Sequence, residues 1–164
     1  MITTHRIEFA SSTDLSFLDD NSVDLVVTSP PYPMIEMWDG IFTGLDPEIG
    51  TFLDEGAATQ AFEAMHRLLD AVWEECRRVL VPGGILCVNI GDATRTIDGV
   101  FRLYTNHARV ATACEAMGFH SLPSVLWRKT TNAPTKFLGS GTLPPGAYVT
   151  MEHEHILVFR NGER

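Results

Sequence analysis

The amino-acid sequence predicts a single α/β domain in which helices cover both faces of a sheet. Three features predict it: a short β-branched apolar run at residues 25–27, a long amphipathic stripe at 59–80 and a second apolar run at 85–90. Short apolar runs separated by a helix are typical of strands buried in a parallel sheet. The length of 164 residues and the hydrophobic share of 45% suit one core in one domain.

The composition excludes several classes of protein. No apolar run approaches the length of a membrane span, and residues 1–18 lack the apolar block of a signal peptide. The cysteines Cys76, Cys87 and Cys114 are odd in number and lie in apolar segments, which favours reduced thiols in a core. We therefore expect a cytoplasmic protein.

A rigid turn follows the first predicted strand. In Ser29-Pro30-Pro31-Tyr32, each proline fixes its own φ and lacks an N–H, and Pro31 also holds Pro30 in an extended conformation. The carbonyls of Ser29 and Pro30 therefore have few local donors. Acceptors at the carboxyl end of a strand can face a ligand, because open α/β sheets bind their substrates at that edge.

The same four residues resemble the (Asp/Asn/Ser)-Pro-Pro-(Tyr/Phe) signature of the amino-methylating DNA methyltransferases of the permuted type. An ordinary turn at the end of a strand is the alternative. The resemblance implies a Rossmann-like fold, S-adenosylmethionine as cofactor and DNA as partner. It also implies that Ser29 and the Pro30 carbonyl accept the two N–H groups of a base amine, while Tyr32 stacks on the flipped base.

The segment before this strand contributes candidate cofactor contacts. Residues 7–9 alternate like a short strand, and a short helix is expected to end near Leu18. Members of the permuted family often carry a Gly-Asp-Ser-like turn near the cofactor here, whereas this sequence has Ala10-Ser11-Ser12. Asp14 and Thr28 remain the candidates under the resemblance.

A long connection covers residues 33–58 and contains four glycines. Connections of this length usually carry function or have structure of their own. We expect a short helical piece and a loop beside the site. Trp38 either helps to cover the flipped base or packs on the core together with Phe42.

Periodicity defines the middle of the chain. Apolar residues recur at three- and four-residue spacing over 59–80, which predicts a helix that ends at Pro82-Gly83-Gly84. A buried strand at 85–90 then leads to the sheet edge that carries Ser29. Asn89 and Asp92 either approach the site there or serve as turn and capping residues. A second helix is predicted over 104–117.

The last part of the chain is predicted to contain strands at 124–129 and 155–160, with a loop rich in Thr, Gly and Pro between them. Trp127, Lys129 and Asn132 form a Trp-x-Lys-x-x-Asn arrangement. This arrangement resembles a late family motif on the target-base side of the pocket, and the resemblance implies that these three residues contact the substrate.

A glycine-rich stretch at 137–142 matches the Phe-x-Gly-x-Gly pattern of the family's cofactor loop. No buried strand precedes it and Pro144-Pro145 oppose a helix after it, so we interpret it as a loop on the substrate side. Residues 1–164 are then one catalytic (sub)domain without the cofactor-loop half or a target-recognition domain. A subunit of a split enzyme, a truncated or separately expressed fragment and a degenerate remnant are the three explanations. The intact turn favours the first two, in which a complementary subunit or segment, or a homo-oligomer, completes the enzyme.

Charge and metal chemistry limit the possible partners. A net charge of −9 is the wrong sign for binding DNA through phosphates alone. Basic residues form two groups that are either a local basic face or scattered: Arg128, Lys129 and Lys136, and Arg95, Arg102 and Arg109. The His-containing stretch 152–155 lacks further ligands at suitable spacing, so no metal site is predicted.

The sequence therefore predicts a DNA methyltransferase domain in which Ser29, Pro30, Pro31 and Tyr32 form the catalytic turn. The serine at its first position favours N4 of cytosine over N6 of adenine as target. A non-catalytic subunit or remnant that binds nucleic acid or a partner chain is the alternative, and RNA or protein methylation is a third.

Overall fold

The computed structural model describes residues 2–129 and 152–163 of the chain. Its strands are β1 (Val23–Thr28), β2 (Leu80–Ile90), β3 (Ala93–Ile97), β4 (Val100–Tyr104), β5 (Phe119–Arg128) and β6 (His153–Asn161). Its α-helices are α1 (Asp39–Leu45), α2 (Pro47–Asp54), α3 (Ala58–Val79) and α4 (Asn106–Ala116), with a 3₁₀ turn at Glu36–Trp38. None of the helices in this part of the chain combines the length and apolar content that crossing a membrane requires.

The main sheet has the strand order β1-β2-β6-β5. β1 and β2 are parallel, whereas β6 runs antiparallel to both of its neighbours. The parallel pair requires the crossover through α1, α2 and α3, and it brings the carboxyl ends of β1 and β2 to one edge of the sheet. β3 and β4 form a separate antiparallel hairpin that follows β2 directly.

One core cluster joins the helices to one face of this sheet. The apolar stripe of α3, including Met65, Leu69 and Trp73, packs with sheet residues such as Leu86 and Phe159. Leu86 pairs with Val26 on one side and with Phe159 on the other, so one row of side chains crosses three strands on the covered face.

The other face of the sheet is exposed on the outer strands β1 and β5 and half-buried on the central strands β2 and β6. Leu25 and Val27 are 55% and 72% exposed, although β1 was expected to be covered on both faces. That expectation is wrong for the described residues, because the apolar run places alternate side chains on opposite faces and the helices described here cover only one of them. We call the exposed side the open face and define it by Leu25, Val27, Ile85, Cys87, Val125, Trp127, Ile156 and Val158.

The predicted α/β order of elements is confirmed, with differences at particular segments. Helices α3 and α4 match the periodic stretches to within two residues. Residues 82–84 lie inside β2, at a register shift against β1, and do not separate helix from strand. Residues 7–9 and 14–18 form neither a strand nor a helix, and the β3–β4 hairpin was not predicted.

Candidate active site

The turn Ser29-Pro30-Pro31-Tyr32 lies at the carboxyl end of β1, next to the end of β2. Thr28, the last residue of β1, pairs with Val88, so the turn begins where the parallel ladder stops. Ser29 is exposed and Tyr32 is half-buried. The structure thus places two of the predicted catalytic side chains at the edge where parallel sheets bind ligands.

The hydroxyl of Tyr32 has three hydrogen-bond partners. Ser29 Oγ lies 3.2 Å away, Asn89 Nδ2 lies 2.7 Å away and Glu154 Oε2 lies 3.1 Å away. These partners come from the turn, from β2 and from β6. Asn89 therefore approaches the site, which is one of the two roles that the sequence left open for it.

Gly91 provides the space that the Tyr32 ring occupies. A Cβ atom at this position would lie 3.0 Å from Cε2 and 3.2 Å from Cδ2 of Tyr32, and 3.3 Å from Cγ of Glu154. Such distances are shorter than ordinary carbon–carbon contacts. The ring and the glutamate stem therefore pack directly on the backbone just beyond β2.

Glu154 carries the negative charge of the site. Its side chain is only 13% exposed, pairs with Lys129 and accepts a hydrogen bond of 2.8 Å from Asn89. Burial by itself would raise the pKa of Glu154, but the hydrogen bonds from Lys129, Asn89 and Tyr32 outweigh it and lower the pKa below the ordinary value. Burial, the largest effect, also raises the pKa of Tyr32, so its phenol stays protonated at neutral pH.

A buried amide supports the turn from the other side. Asn106 donates to the carbonyls of Pro33 at 3.0 Å and of Gly91 at 2.9 Å, and its Oδ1 lies 3.0 Å from His66 Nε2. Burial lowers the pKa of His66 to about 4, so this imidazole is neutral and donates through Nε2. Sequence reasoning did not identify Asn106 or His66, because an Asn at the start of a helix is an ordinary signal for that helix.

Met34 follows this network in a strained conformation. Its φ of +66° lies in the left-handed region, which side chains other than glycine rarely adopt. Its side chain is buried and its N–H lies 3.4 Å from Met65 Sδ. The chain thus turns sharply after Pro33. Beside this turn lies a cavity of about 570 Å³, which is lined by Met34, Glu36, Asp92, Thr94 and Arg95, among others.

Asp92, His107 and His155 offer metal-ligand atoms within 4.8 Å of one another. Asp92 accepts hydrogen bonds from the backbone N–H of His107 at 3.1 Å and from its Nδ1 at 2.8 Å. The rings of His107 and His155 are stacked, with centroids 3.9 Å apart and planes 13° apart. The ring lone pairs lie in the planes of the two rings, and these planes are nearly parallel, so a single ion does not lie in line with both. The hydrogen bonds of Asp92 instead hold His107 near the start of α4. Asp92 thus has the capping role.

The structure brings some of the other predicted contacts to this site. Lys129 reaches Glu154, and its Nζ lies 5.0 Å from the ring centroid of Trp127, which is half-exposed on the open face. Trp38 packs against the core, as one of its two alternatives had it. Asn132 and the glycine-rich stretch 137–142 lie outside the described residues.

Asp14 is not brought to the turn. Its carboxylate accepts from the N–H of Ser16 at 3.0 Å in an exposed segment. Arg78, near the end of α3, donates to the carbonyls of Leu15 and Leu18 and holds this segment beside the amino end of β1. Asp14 therefore lies at the end of β1 opposite to Ser29.

Known proteins resemble this chain in sequence. Residues 23–164 match a family model for N6/N4 methyltransferases that is described as DNA methylase. The chain is 53% identical over 161 residues to the type II methyltransferase M.MthZI of Methanothermobacter thermautotrophicus, covering 98% of the chain and 45% of that protein. It is 51% identical over 172 residues to the type II methyltransferase M.MjaI of Methanocaldococcus jannaschii, covering 98% of the chain and 57% of that protein. The chain thus spans about half the length of these relatives.

Solved structures show the same fold. TTHA0409 of Thermus thermophilus, a putative DNA modification methylase solved in complex with S-adenosyl-L-methionine, matches with a TM-score of 0.72 and 29% identity, over 98% of this chain and 55% of that one. PvuII DNA methyltransferase (cytosine-N4-specific) matches with a TM-score of 0.58 and 17% identity, over 94% of this chain and 49% of that one. The sheet therefore has the Rossmann-like methyltransferase fold.

Proposed function

Because the chain belongs to the DNA methylase family, we propose that it is the catalytic segment of a DNA amino-methyltransferase with S-adenosylmethionine as methyl donor. The relatives are type II methyltransferases, so the proposed setting is restriction-modification. The observation that carries the proposal is the position of Ser29 and Tyr32 at the carboxyl end of β1, with the Tyr32 hydroxyl held by Asn89 and Glu154.

The chemistry of the target explains this arrangement. The lone pair of an exocyclic base amine is delocalised into the ring, which makes the amine a poor nucleophile. Ser29 Oγ and the Pro30 carbonyl accept its two N–H groups and hold the nitrogen in a geometry that localises the pair. Tyr32 stacks on the base after it has left the duplex. The cavity beside Met34 is large enough to take part in holding a base.

N4 of cytosine is the proposed target, in preference to N6 of adenine. The support is the serine at the first position of the turn, where the family signature also admits Asp and Asn. The cytosine specificity of the PvuII enzyme is a property of that protein, and at 17% identity the likeness carries the fold alone.

S-adenosylmethionine supplies an electrophilic methyl group in this chemistry. A Cβ at Gly84, in β2, would meet backbone oxygens, and a Cβ at Gly91, just beyond β2, would meet the Tyr32 ring at 3.0 Å, so neither of these two glycines admits a ligand close to the backbone. Thr28 is the remaining candidate contact at this edge. We propose that the other contacts with the cofactor come from outside the described part of the chain.

A complementary segment is the proposed source of the missing contacts. β1 is an edge strand of the described sheet, and its outward side chains Leu25 and Val27 are exposed. Parallel strands are normally covered on both faces, and an exposed edge strand can pair with another chain. The relatives are about twice as long as the matched region, so a segment of matching size exists in this family.

The charges of the chain also support a contribution from a complementary segment, in this case to DNA binding. The arginines that the sequence left as a possible basic face are largely neutralised, because Arg95 pairs with Asp39 and Arg109 pairs with Asp70 and Glu63. Arg128 and Lys129 have Glu152 and Glu154 as partners. DNA affinity is therefore proposed to come mainly from the complementary segment.

Transfer of a labelled methyl group to DNA tests the proposal. The chain is assayed with and without the part of M.MjaI that it does not match, and nucleoside analysis of the product identifies the methylated base. We expect activity only in the mixture, and its loss in Ser29→Ala and Tyr32→Ala. Thr112→Ala, on the exposed side of α4, is the control. Equal activity of Ser29→Ala and the unchanged chain would overturn the catalytic role, as would methylation of a carbon or of a phosphate oxygen.

A further inference from the structure

The Tyr32 hydroxyl has three hydrogen-bond partners, and the positions of its proton and lone pairs give each bond a direction. A phenol has one proton to donate and two lone pairs that accept. Its three partners are Ser29 Oγ at 3.2 Å, Asn89 Nδ2 at 2.7 Å and Glu154 Oε2 at 3.1 Å. Every position of the phenol is therefore taken, and fixing two of the bonds decides the third.

Glu154 and Asn89 fix the first two bonds. Glu154 is ion-paired with Lys129, and its ionised carboxylate can only accept. Asn89 Nδ2 has two protons and directs one at Glu154 Oε2, at 2.8 Å, and the other at the Tyr32 oxygen. The phenol proton therefore goes to Glu154, and one phenol lone pair accepts from Asn89. The remaining lone pair is left for the proton of Ser29.

We propose that Glu154 acts through Tyr32 as a positioning residue that sets the hydrogen-bond polarity of Ser29. With its own proton directed at Tyr32, the Ser29 hydroxyl presents lone pairs to the incoming base amine. The inference rests on the proposed function, in which Ser29 accepts an N–H of that amine.

A serine needs this control, whereas an aspartate does not. A carboxylate can only accept, so an Asp at the first position of the turn presents lone pairs in every orientation. A hydroxyl can rotate and present its proton to the amine, which is the wrong polarity for a group that must receive N–H bonds. Holding the serine proton on Tyr32 removes that orientation.

The residues around Tyr32 and Glu154 hold these hydrogen bonds in place. Gly91 packs against both the Tyr32 ring and the Glu154 stem, so the two side chains share one fixed point on the backbone. Asn106 binds the carbonyls of Pro33, the residue after Tyr32, and of Gly91, on which the Tyr32 ring packs. The phenol therefore has little freedom to exchange its partners.

Titration of the tyrosines tests the first half of the relay without any methylation. The 164-residue chain is labelled with ¹³C at tyrosine Cζ, and its three tyrosine signals are followed by NMR as pH rises. Tyr32→Phe assigns the Tyr32 signal. We expect Glu154→Gln to lower the phenol pKa of Tyr32, since the carboxylate disfavours the phenolate. Glu152→Gln is the matched control, because Glu152 pairs with Arg128 and not with Tyr32. An unchanged Tyr32 pKa in a folded Glu154→Gln chain would overturn the proposal.

A double-mutant cycle tests the second half in the assembled methyltransferase. In the Ser29 enzyme we expect Glu154→Gln to lower kcat about tenfold, roughly the effect of one misdirected hydrogen bond, with KM for DNA changed less than about twofold. In the Ser29→Asp background the same replacement should change kcat by less than about twofold. Equal losses in both backgrounds would assign Glu154 a structural role only. If the unmodified assembly transfers no methyl group, the proposed function fails, while the tyrosine titration still decides whether Glu154 holds the phenol.

Discussion

Asn106 Nδ2 lies 3.0 Å from the carbonyl oxygen of Pro33, so the first residue of α4 holds the backbone directly after the Ser29–Tyr32 turn. The same amide group reaches the carbonyl of Gly91 beyond β2. One buried side chain thus connects α4 with the segment after the Ser29–Tyr32 turn and with the segment after β2, which are far apart in sequence.

Replacing Asn106 by Ala should destabilise the chain by about 2–4 kcal/mol, because it leaves two buried carbonyls and His66 without their partner. The free energy of unfolding in urea measures the effect. Thr112→Ala, on the exposed side of the same helix, is the control and should change stability by less than about 0.5 kcal/mol. A loss for Asn106→Ala as small as that of the control would contradict the role of this amide.

Acid should destabilise the fold through His66. Its pKa is about 4 in the folded chain and about 6.5 when unfolded, so the unfolded state binds more protons between these values. Stability contributed by neutral His66 is therefore present above pH 6.5 and falls as pH drops toward 4, by about 3 kcal/mol in total. Unfolding free energies at pH 7 and pH 4 test this. His66→Gln retains an amide donor but no titrating group, and its loss over this range should be smaller; identical losses would refute the assignment.

Gly91→Ala should disturb Tyr32 directly. The new methyl group would lie 3.0 Å from the ring, so the ring must move away from Asn89 and Glu154. We expect a loss of about 1–3 kcal/mol in stability and a shift of the Tyr32 NMR signal. Gly40→Ala is the comparison, because a Cβ there meets nothing within 4 Å and helix α1 gains a better helix former. A Tyr32 signal that stays in place in Gly91→Ala would argue against the close packing.

The open face should matter for association more than for folding. Val27→Lys changes an exposed side chain on an edge strand, so the isolated chain should lose less than about 1 kcal/mol. Binding of the complementary segment, followed by analytical ultracentrifugation, should be abolished. Val26→Lys places the charge on the covered face and should unfold the chain instead. If Val27→Lys abolishes self-association of the chain and leaves binding of the segment intact, the open face serves a homo-oligomer.

Patterns of neighbouring residues were sufficient to predict much of the fold and the position of the Ser29–Tyr32 turn at the end of a strand. The stripe of α3 and the run before Ser29 are periodic signals over adjacent residues, and they predicted a helix and a strand that the structure contains. The two prolines likewise predicted a rigid turn at the carboxyl end of β1, because their effect on φ is intrinsic to each residue.

The amino-acid sequence by itself determined the order of the four main-sheet strands and of helices α3 and α4, and the stiffness of the turn at Ser29, since these follow from residues close together in the chain. The tertiary structure alone decided which face of β1 is exposed and which groups hold Tyr32. Glu154 is 122 residues from Tyr32 in sequence, and Asn106 is 73 residues from Pro33. Such partners meet only through strand pairing and the packing of α4. A pattern of neighbouring residues does not indicate a contact between residues so far apart in sequence.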